Sequence, residues 1–259
     1  MRSKRGQATL FIIIAIAVIA IVILAIIFIP KLTNQNISAV DSLIPDAYVS
    51  SCVKDVLEPF VEKISNQSGY LEQSNCIFYQ GVCRRYLCYT SQYYAACVNQ
   101  EPMLKEKIES VIKGELQRTN TVTRCVHGFV ENARNKGYDI NSCDASNFSV
   151  ELIQGKISIP IDCKITMVKG EEKKTFEKVN SALDWPLYDF VMLSQEIIDE
   201  ELNKKDFDPL SYMLGHYWVD IEKFRTSDDT KIFTLKEREN PSHVFVFAVR
   251  GGVIPPGIM

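Results

Sequence analysis

The residues with the most chemical potential are eight cysteines: Cys52, Cys76, Cys83, Cys88, Cys97, Cys125, Cys143 and Cys163. An even number confined to one stretch of a chain is what disulfide formation in an oxidising compartment produces. Zinc is the rival reading, but zinc sites usually show closely paired Cys-x-x-Cys or Cys/His spacings. Here the nearest spacings are Cys83 to Cys88 and Cys76 to Cys83, and His127 is the one histidine nearby. All eight are therefore expected in disulfides. They permit roughly a hundred connectivities, and the favoured pair is Cys52 with Cys125, because each opens an amphipathic helix that can lie beside the other.

Four of these cysteines fall within Cys76–Cys97, together with five tyrosines and the adjacent Arg84 and Arg85. Tyrosine offers a large contact area with two torsions to freeze, and arginine stacks and donates bidentately, so both are enriched where proteins bind partners. The stretch reads as a disulfide-stapled loop between two helices. Tyr79, Arg84, Arg85, Tyr86, Tyr89, Tyr93 and Tyr94 are its candidate recognition residues. The blander expectation is that these side chains pack on the bridges and helices of their own fold.

Catalytic chemistry is harder to place. His127, His216 and His243 have no helical histidine partner four residues away and no adjacent carboxylate in the sequence. Signatures of serine hydrolases, zinc peptidases and phosphate-binding loops are missing. The run Glu196, Asp199, Glu200, Glu201 alternates with Ile197 and Ile198, and so reads as the solvated face of a helix. Asp228-Asp229 between Ser227 and Thr230 reads as a turn. The expectation is a protein without catalytic activity, with no catalytic, cofactor-binding or metal-ligating residue assigned and no cofactor. The net charge of −3 also argues against nucleic-acid binding, which needs a basic surplus to neutralise phosphates.

What would position these groups starts at the amino terminus. Ala8 to Ile29 contains no charged residue, and ten of the nineteen residues from Phe11 to Ile29 are isoleucine. At about 1.5 Å per residue such a stretch crosses the roughly 30 Å apolar core of a bilayer. Arg2, Lys4 and Arg5 precede it, and the chain beyond carries 26 basic against 32 acidic residues. Cationic flanks stay inside, so the expected topology is single-pass: amino terminus cytoplasmic, the rest extracytoplasmic. The apolar run is too long for a secretory signal and ends in Ile29-Pro30-Lys31 without a small-residue cleavage site.

Beyond the membrane, Val53, Val56, Leu57, Phe60, Val61 and Ile64 recur at helical spacing after Pro45. A second helix follows Pro102, and a third carries Val122, Cys125, Val126, Phe129, Val130 and Ala133. From Phe148 the period changes to two: Phe148, Val150 and Leu152, a Gln154-Gly155 turn, then Ile157 through Ile165 as one strand. A third strand is expected at Thr175–Val179, a fourth helix after Trp185-Pro186, and further strands at Tyr217–Ile221, Lys231–Leu235 and His243–Val249. The tail from Gly251 is expected to fray. The fold class is α+β: one N-terminal transmembrane helix, then a helical subregion, then a mainly antiparallel sheet with an inserted helix. The predicted organisation is a cytoplasmic basic flank (1–7), a membrane helix (8–30), a linker (31–44), a helical cysteine-rich subregion (45–145) and an α+β sheet subregion (146–259).

The amino-terminal residues Lys4-Arg5-Gly6-Gln7-Ala8-Thr9-Leu10-Phe11 resemble the class III signal peptides of archaeal type IV pilin-like proteins. The resemblance covers about the first thirty residues. It implies cutting by a prepilin peptidase between Gly6 and Gln7, with Thr9 in the small hydroxyl position. The helix would stay in the product as an anchor able to pack with other pilin-like subunits. Where the family usually carries a glutamate that aligns subunits during polymerisation, this chain has Phe11. The resulting expectation is a cell-surface or envelope component of an archaeal type, pilin-like or adhesive, with the lipid bilayer as a partner and its extracellular ligand unknown. The alternatives are a plain signal-anchored receptor or assembly partner, and a membrane-tethered enzyme. Mass spectrometry of the mature chain should find Gln7 as its first residue; a retained Met1 indicates a plain anchor instead.

Overall fold

The structure, a computed structural model, describes residues 43–72, 74–204 and 206–253. The expected membrane helix, the basic flank with Gly6 and Gln7, and most of the linker lie outside the described residues. Among those described, no helix is long and apolar enough to cross a membrane. The fold is α+β. In chain order the elements are α1 (Pro45–Ser65), β1 (Cys76–Tyr79), β2 (Val82–Tyr89), β3 (Val98–Asn99), α2 (Leu104–Arg118), α3 (Thr121–Asn135), β4 (Asp139–Asn141), β5 (Glu151–Ile153), β6 (Lys156–Ile161), β7 (Ile165–Lys169), β8 (Glu172–Phe176) and β9 (Val179–Asp184). There follow α4 (Leu187–Lys204), α5 (Pro209–Gly215), β10 (Val219–Arg225), β11 (Lys231–Glu237) and β12 (Val244–Arg250).

α1 forms because Val49, Val53, Leu57, Val61 and Ile64 fall on one stripe, each essentially without solvent exposure. Pro45 opens it at a position where its missing N–H costs nothing. Gly69 terminates the exit turn at φ +88°, donating its N–H to the Ile64 carbonyl at 2.7 Å. A Cβ there would sit 2.6 Å from the Ile108 side chain of α2, so the position needs glycine for its dihedral and for the close approach. α1 packs on α3 through the Cys52–Cys125 disulfide and against β9 and β12 on other sides. The favoured cysteine pair is thus formed, although Cys52 lies inside α1 rather than at its opening.

The strands form three sheets. The largest has the order β1-β2-β12-β11-β10 with β3 on β2, and β2–β12 is its parallel pair. Phe245, Phe247 and Val249 of β12 face the main core, while Val246 and Ala248 join Tyr86 and Ile232 in a second, smaller cluster on the opposite face. β1 pairs with the first half of β2 and β12 with the second half. The β1–β2 hairpin therefore extends past the sheet and folds over that outer cluster, and Tyr79 meets Phe224 of the far strand β10 at 5.0 Å between ring centroids. The stretch expected as a stapled loop is this hairpin plus a central strand. Local period-two patterning was masked there, because β2 is buried on both faces and two of its positions are cysteine.

The other sheets are β4-β7-β8 and β5-β6-β9. The single strand expected from Ile157 to Ile165 is divided: β6 and β7 belong to different sheets, with Cys163 at the break and bonded to Cys143. The third strand expected at Thr175–Val179 is also displaced. β8 ends at Phe176, and β9 starts at Val179 with Val179, Ser181 and Leu183 turned inward. Residues 251–253 of the tail are held: Tyr94 N–H donates to the Val253 carbonyl at 2.9 Å and Gly252 N–H to the Ala95 carbonyl at 2.7 Å, and the rest of the tail lies outside the described residues. A Cβ added at Gly251 would lie 3.0 Å from the Cys97 backbone nitrogen, a close approach of the tail to the loop after β2.

Loop closure makes the Cys52–Cys125 bridge, with a sequence separation of 73, the most constraining of the four. Replacing both of its cysteines by alanine should cost about 4 kcal/mol in denaturant unfolding, against about 2–3 kcal/mol for Cys88–Cys97 with a separation of 9.

Candidate functional site

A cleft of about 510 Å³ opens where β2 and β12 end side by side. Its lining is Asn75, Cys76, Tyr86, Tyr89, Ser91, Asp228 and Arg250. The parallel register places Tyr89 opposite Arg250 and Tyr86 opposite Ala248, with a bulge between Ala248 and Val249. A bulge re-aims the side chains that follow it. Thr90 N–H donates to the Arg250 carbonyl at 2.9 Å, and the Arg250 guanidinium donates to the Thr90 carbonyl. Cys88–Cys97 and Cys76–Cys83 hold the segments on either side.

The walls are aromatic. Tyr86 and Tyr89 stand 5.0 Å apart between ring centroids at 60° to one another. The Arg250 guanidinium lies 5.8 Å from the Tyr89 ring and 6.0 Å from the Tyr93 ring. Burial pushes the Tyr86 phenol above its ordinary range, with a smaller contribution from nearby Asp228. Asp228 is held 3.7 Å from Arg250 and receives hydrogen bonds from the Thr226 and Thr230 hydroxyls. Burial opposes its ionisation, but those hydroxyls, the Thr230 N–H and Arg250 together hold its carboxyl below the usual carboxylate range.

The seven candidate recognition residues separate into two groups. Tyr86 and Tyr89 wall the cleft, Tyr93 flanks its arginine, and Tyr94 is exposed nearby. The rest serve their own fold. Tyr79 packs on Phe224, and buried Arg84 donates to the Asn66 carbonyl at the end of α1. Arg85 stacks 3.9 Å over Tyr70 and pairs with Glu101 at 2.9 Å. Sequence reasoning missed Arg250, Asn75 and Ser91 as lining residues, and read Asp228 as a turn residue alone. The turn signal was correct; its juxtaposition with Tyr86 follows from strand order, which no local pattern carries.

The carboxylate run of α4 is not uniformly solvated. Glu201 and Lys231 each have side chains 2% exposed and are ion-paired on the core side of β11. Glu201 also accepts from the Phe207 N–H at 2.8 Å, and Asp206 lies 3.3 Å from Lys231. The expectation failed because residue 201 falls back onto the apolar stripe one turn after Ile197 and Ile198. Asp206 gathers Lys223 at 2.8 Å and Arg225 at 2.6 Å as well. Burial opposes its charge, yet these cations hold Asp206 down at about 2.

Of the three histidines, His243 does meet an acid: its Nδ1 is 2.6 Å from Glu237 Oε2. Its Nε2 lies 3.0 Å from Asn240, and its ring lies against Trp185 at 4.0 Å between centroids. Both nitrogens and one face are occupied by the protein itself, an arrangement that locks the β11–β12 turn. His216 stacks on Tyr212 at 3.9 Å, and His127 is exposed on α3. Among the described residues, no group of three or more histidines, cysteines or carboxylates is arranged to hold a metal ion.

Compared with family models, curated proteins and solved structures, the chain matches none. The site's meaning therefore rests on its geometry.

The ion pairs of Asp206 have a definite pH signature. A carboxylate whose folded pKa is depressed from 3.8 to about 2 contributes stability that is present above the higher value and lost as pH falls through the lower. Asp206→Asn should lower the melting temperature at neutral pH and converge on the parent protein near pH 2, when melts are recorded across the acid limb. Glu201→Ala, which strips the buried ammonium of its nearest carboxylate, should cost about 3–5 kcal/mol.

Proposed function

We propose that this chain is a membrane-anchored, extracytoplasmic surface protein whose disulfide-bonded α+β head presents the tyrosine-lined cleft to a partner outside the cell. The observation that carries the reading is the pairing of all eight cysteines into four disulfides, with no free cysteine among the described residues, in a chain whose residues 8–29 are uncharged. Disulfides persist where the environment is oxidising, and a stretch of that length and apolarity is at home in a bilayer. The basic Arg2, Lys4 and Arg5 favour an internal amino terminus. The role is that of a pilin-like or adhesive envelope component without catalytic activity. Its partners are lipid, the prepilin peptidase and other pilin-like subunits.

A second reading, a plain signal-anchored receptor or assembly partner, is favoured by Phe11 in the position where pilin-like chains carry their aligning glutamate. Both readings place the head outside, so one experiment tests what they share. A membrane-impermeant amine reagent applied to intact cells should label lysines of the head, such as Lys113 and Lys173, and the protein should fractionate with membranes. Peptide mapping without reduction should recover the four bridges. Labelling only after lysis, together with free thiols in the native protein, overturns the proposal.

A further inference from the structure

We infer that the cleft at the end of the β2–β12 pair is a saccharide-binding site selective for neutral sugars, an inference that rests on the surface-protein reading above. Its size falls in the range of small-molecule sites, roughly 300–1,000 Å³, and at about 510 Å³ it accommodates a sugar unit with room for the next residue of a glycan. The lining contains no aliphatic side chain. Besides the Cys76 of a disulfide it consists of two tyrosines and hydroxyl, amide, carboxylate and guanidinium groups, which is poor chemistry for an aliphatic or lipid ligand.

The charges narrow the choice. Asp228 and Arg250 are the ionic groups of the lining, of opposite sign and 3.7 Å apart. A phosphate or carboxylate ligand approaching Arg250 would meet Asp228 beside it, and an ammonium approaching Asp228 would meet Arg250. The pair offers donors and acceptors side by side with no net field to select an ion. That combination matches adjacent hydroxyls, each of which both donates and accepts. Asn75 and Ser91 add further groups of both kinds at the rim.

The aromatic walls supply the remaining requirement. The flat C–H face of a pyranose packs on an aromatic ring, and half-buried Tyr89 supplies one, braced by the largely buried Tyr86 ring tilted 60° against it. The polar stations are already fixed: Asp228 by Thr226 and Thr230, Arg250 by Thr90, and the flanking backbone by Cys88–Cys97. Little side-chain freedom is therefore lost when a ligand enters. Tyr86, Tyr89 and Arg250 stand on the strands β2 and β12, the rigid parts of the fold.

The test uses the full chain in lipid nanodiscs. The probes are the methyl glycosides of glucose, galactose and mannose, then N-acetylglucosamine, with N-acetylneuraminic acid as the anionic control. Saturation-transfer NMR and titration should show at least one neutral probe binding, little affected by salt, with the anionic sugar weaker. Tyr89→Ala should weaken that binding roughly tenfold, and Tyr89→Phe should retain it, because the ring face is kept. Ser91→Ala, on the loop beyond β2, is the second variant should Tyr89→Ala fail to form its four disulfides; it should weaken binding several-fold. The inference is overturned if no neutral probe binds, if the anionic sugar binds better, or if folded Tyr89→Ala or Ser91→Ala binds as the parent does. Because the assay uses purified protein, a negative result removes the ligand class and leaves surface exposure to be judged by the labelling of intact cells.

Discussion

The head depends on α1 substituting for strands that are not there. β9 is an edge of its sheet, and two of its outward N–H groups would be left without ladder partners. Asp46 and Ser50 of α1 accept them, from Asn180 and Ala182 at 3.1 Å each. The opposite edge is treated in the same way, Glu109 of α2 accepting from the Leu152 N–H of β5 at 2.8 Å, and Asp189 of α4 accepts from Gly155 in the β5–β6 turn at 2.8 Å. The Ala182 and Leu152 donors are part-buried, where an unpaired N–H costs about as much as a lost hydrogen bond. These four contacts therefore fix where the three helices sit on the small sheet. They also blunt edges that would otherwise pair with another chain.

With α1 so placed, the rest of the packing follows from its other faces. The Cys52–Cys125 bridge ties it to α3, Gly69 lets it turn tightly against α2, and Ser68 donates to the Val246 carbonyl of β12 at 2.7 Å. The large sheet thus reaches the helix through its centre, not through an edge. The Glu201–Lys231 pair locks α4 to the same sheet from the core side. Such a pair adds little net stability over an apolar substitute, but it admits one alignment of helix on strand.

Much of this architecture was legible in the sequence where a helix has one wet face. The stripes of α1, α2 and α3 could be read residue by residue, and the Cys52–Cys125 pair followed from two of them. Legibility failed where pairing is remote. Nothing near Tyr86 or Tyr89 indicates that Arg250, some 160 residues later, lies beside them, because strand partners are chosen by the whole fold. It failed again at Glu201, where composition suggested solvent and geometry supplied a buried cation. Of the candidate site, the tyrosines were visible and their polar companions were not. α5 was also missed: at seven residues, with Leu210 and Leu214 facing outward, it has no amphipathic signature to find.

The parallel pairing of β2 with β12 has a consequence for biogenesis. Strands 82–89 and 244–250 are far apart in sequence, so the large sheet cannot close until the chain has been made through β12. The bridges Cys76–Cys83 and Cys88–Cys97 span nine residues or fewer and can form at once on the trailing side of α1. Until β12 arrives, β2 waits with an apolar flank uncovered, and long-range closure is the slow event in chains of this topology. Synthesis of the chain and closure of the sheet are therefore coupled in time. The cleft, built at the junction of those two strands, comes into being only at the last step.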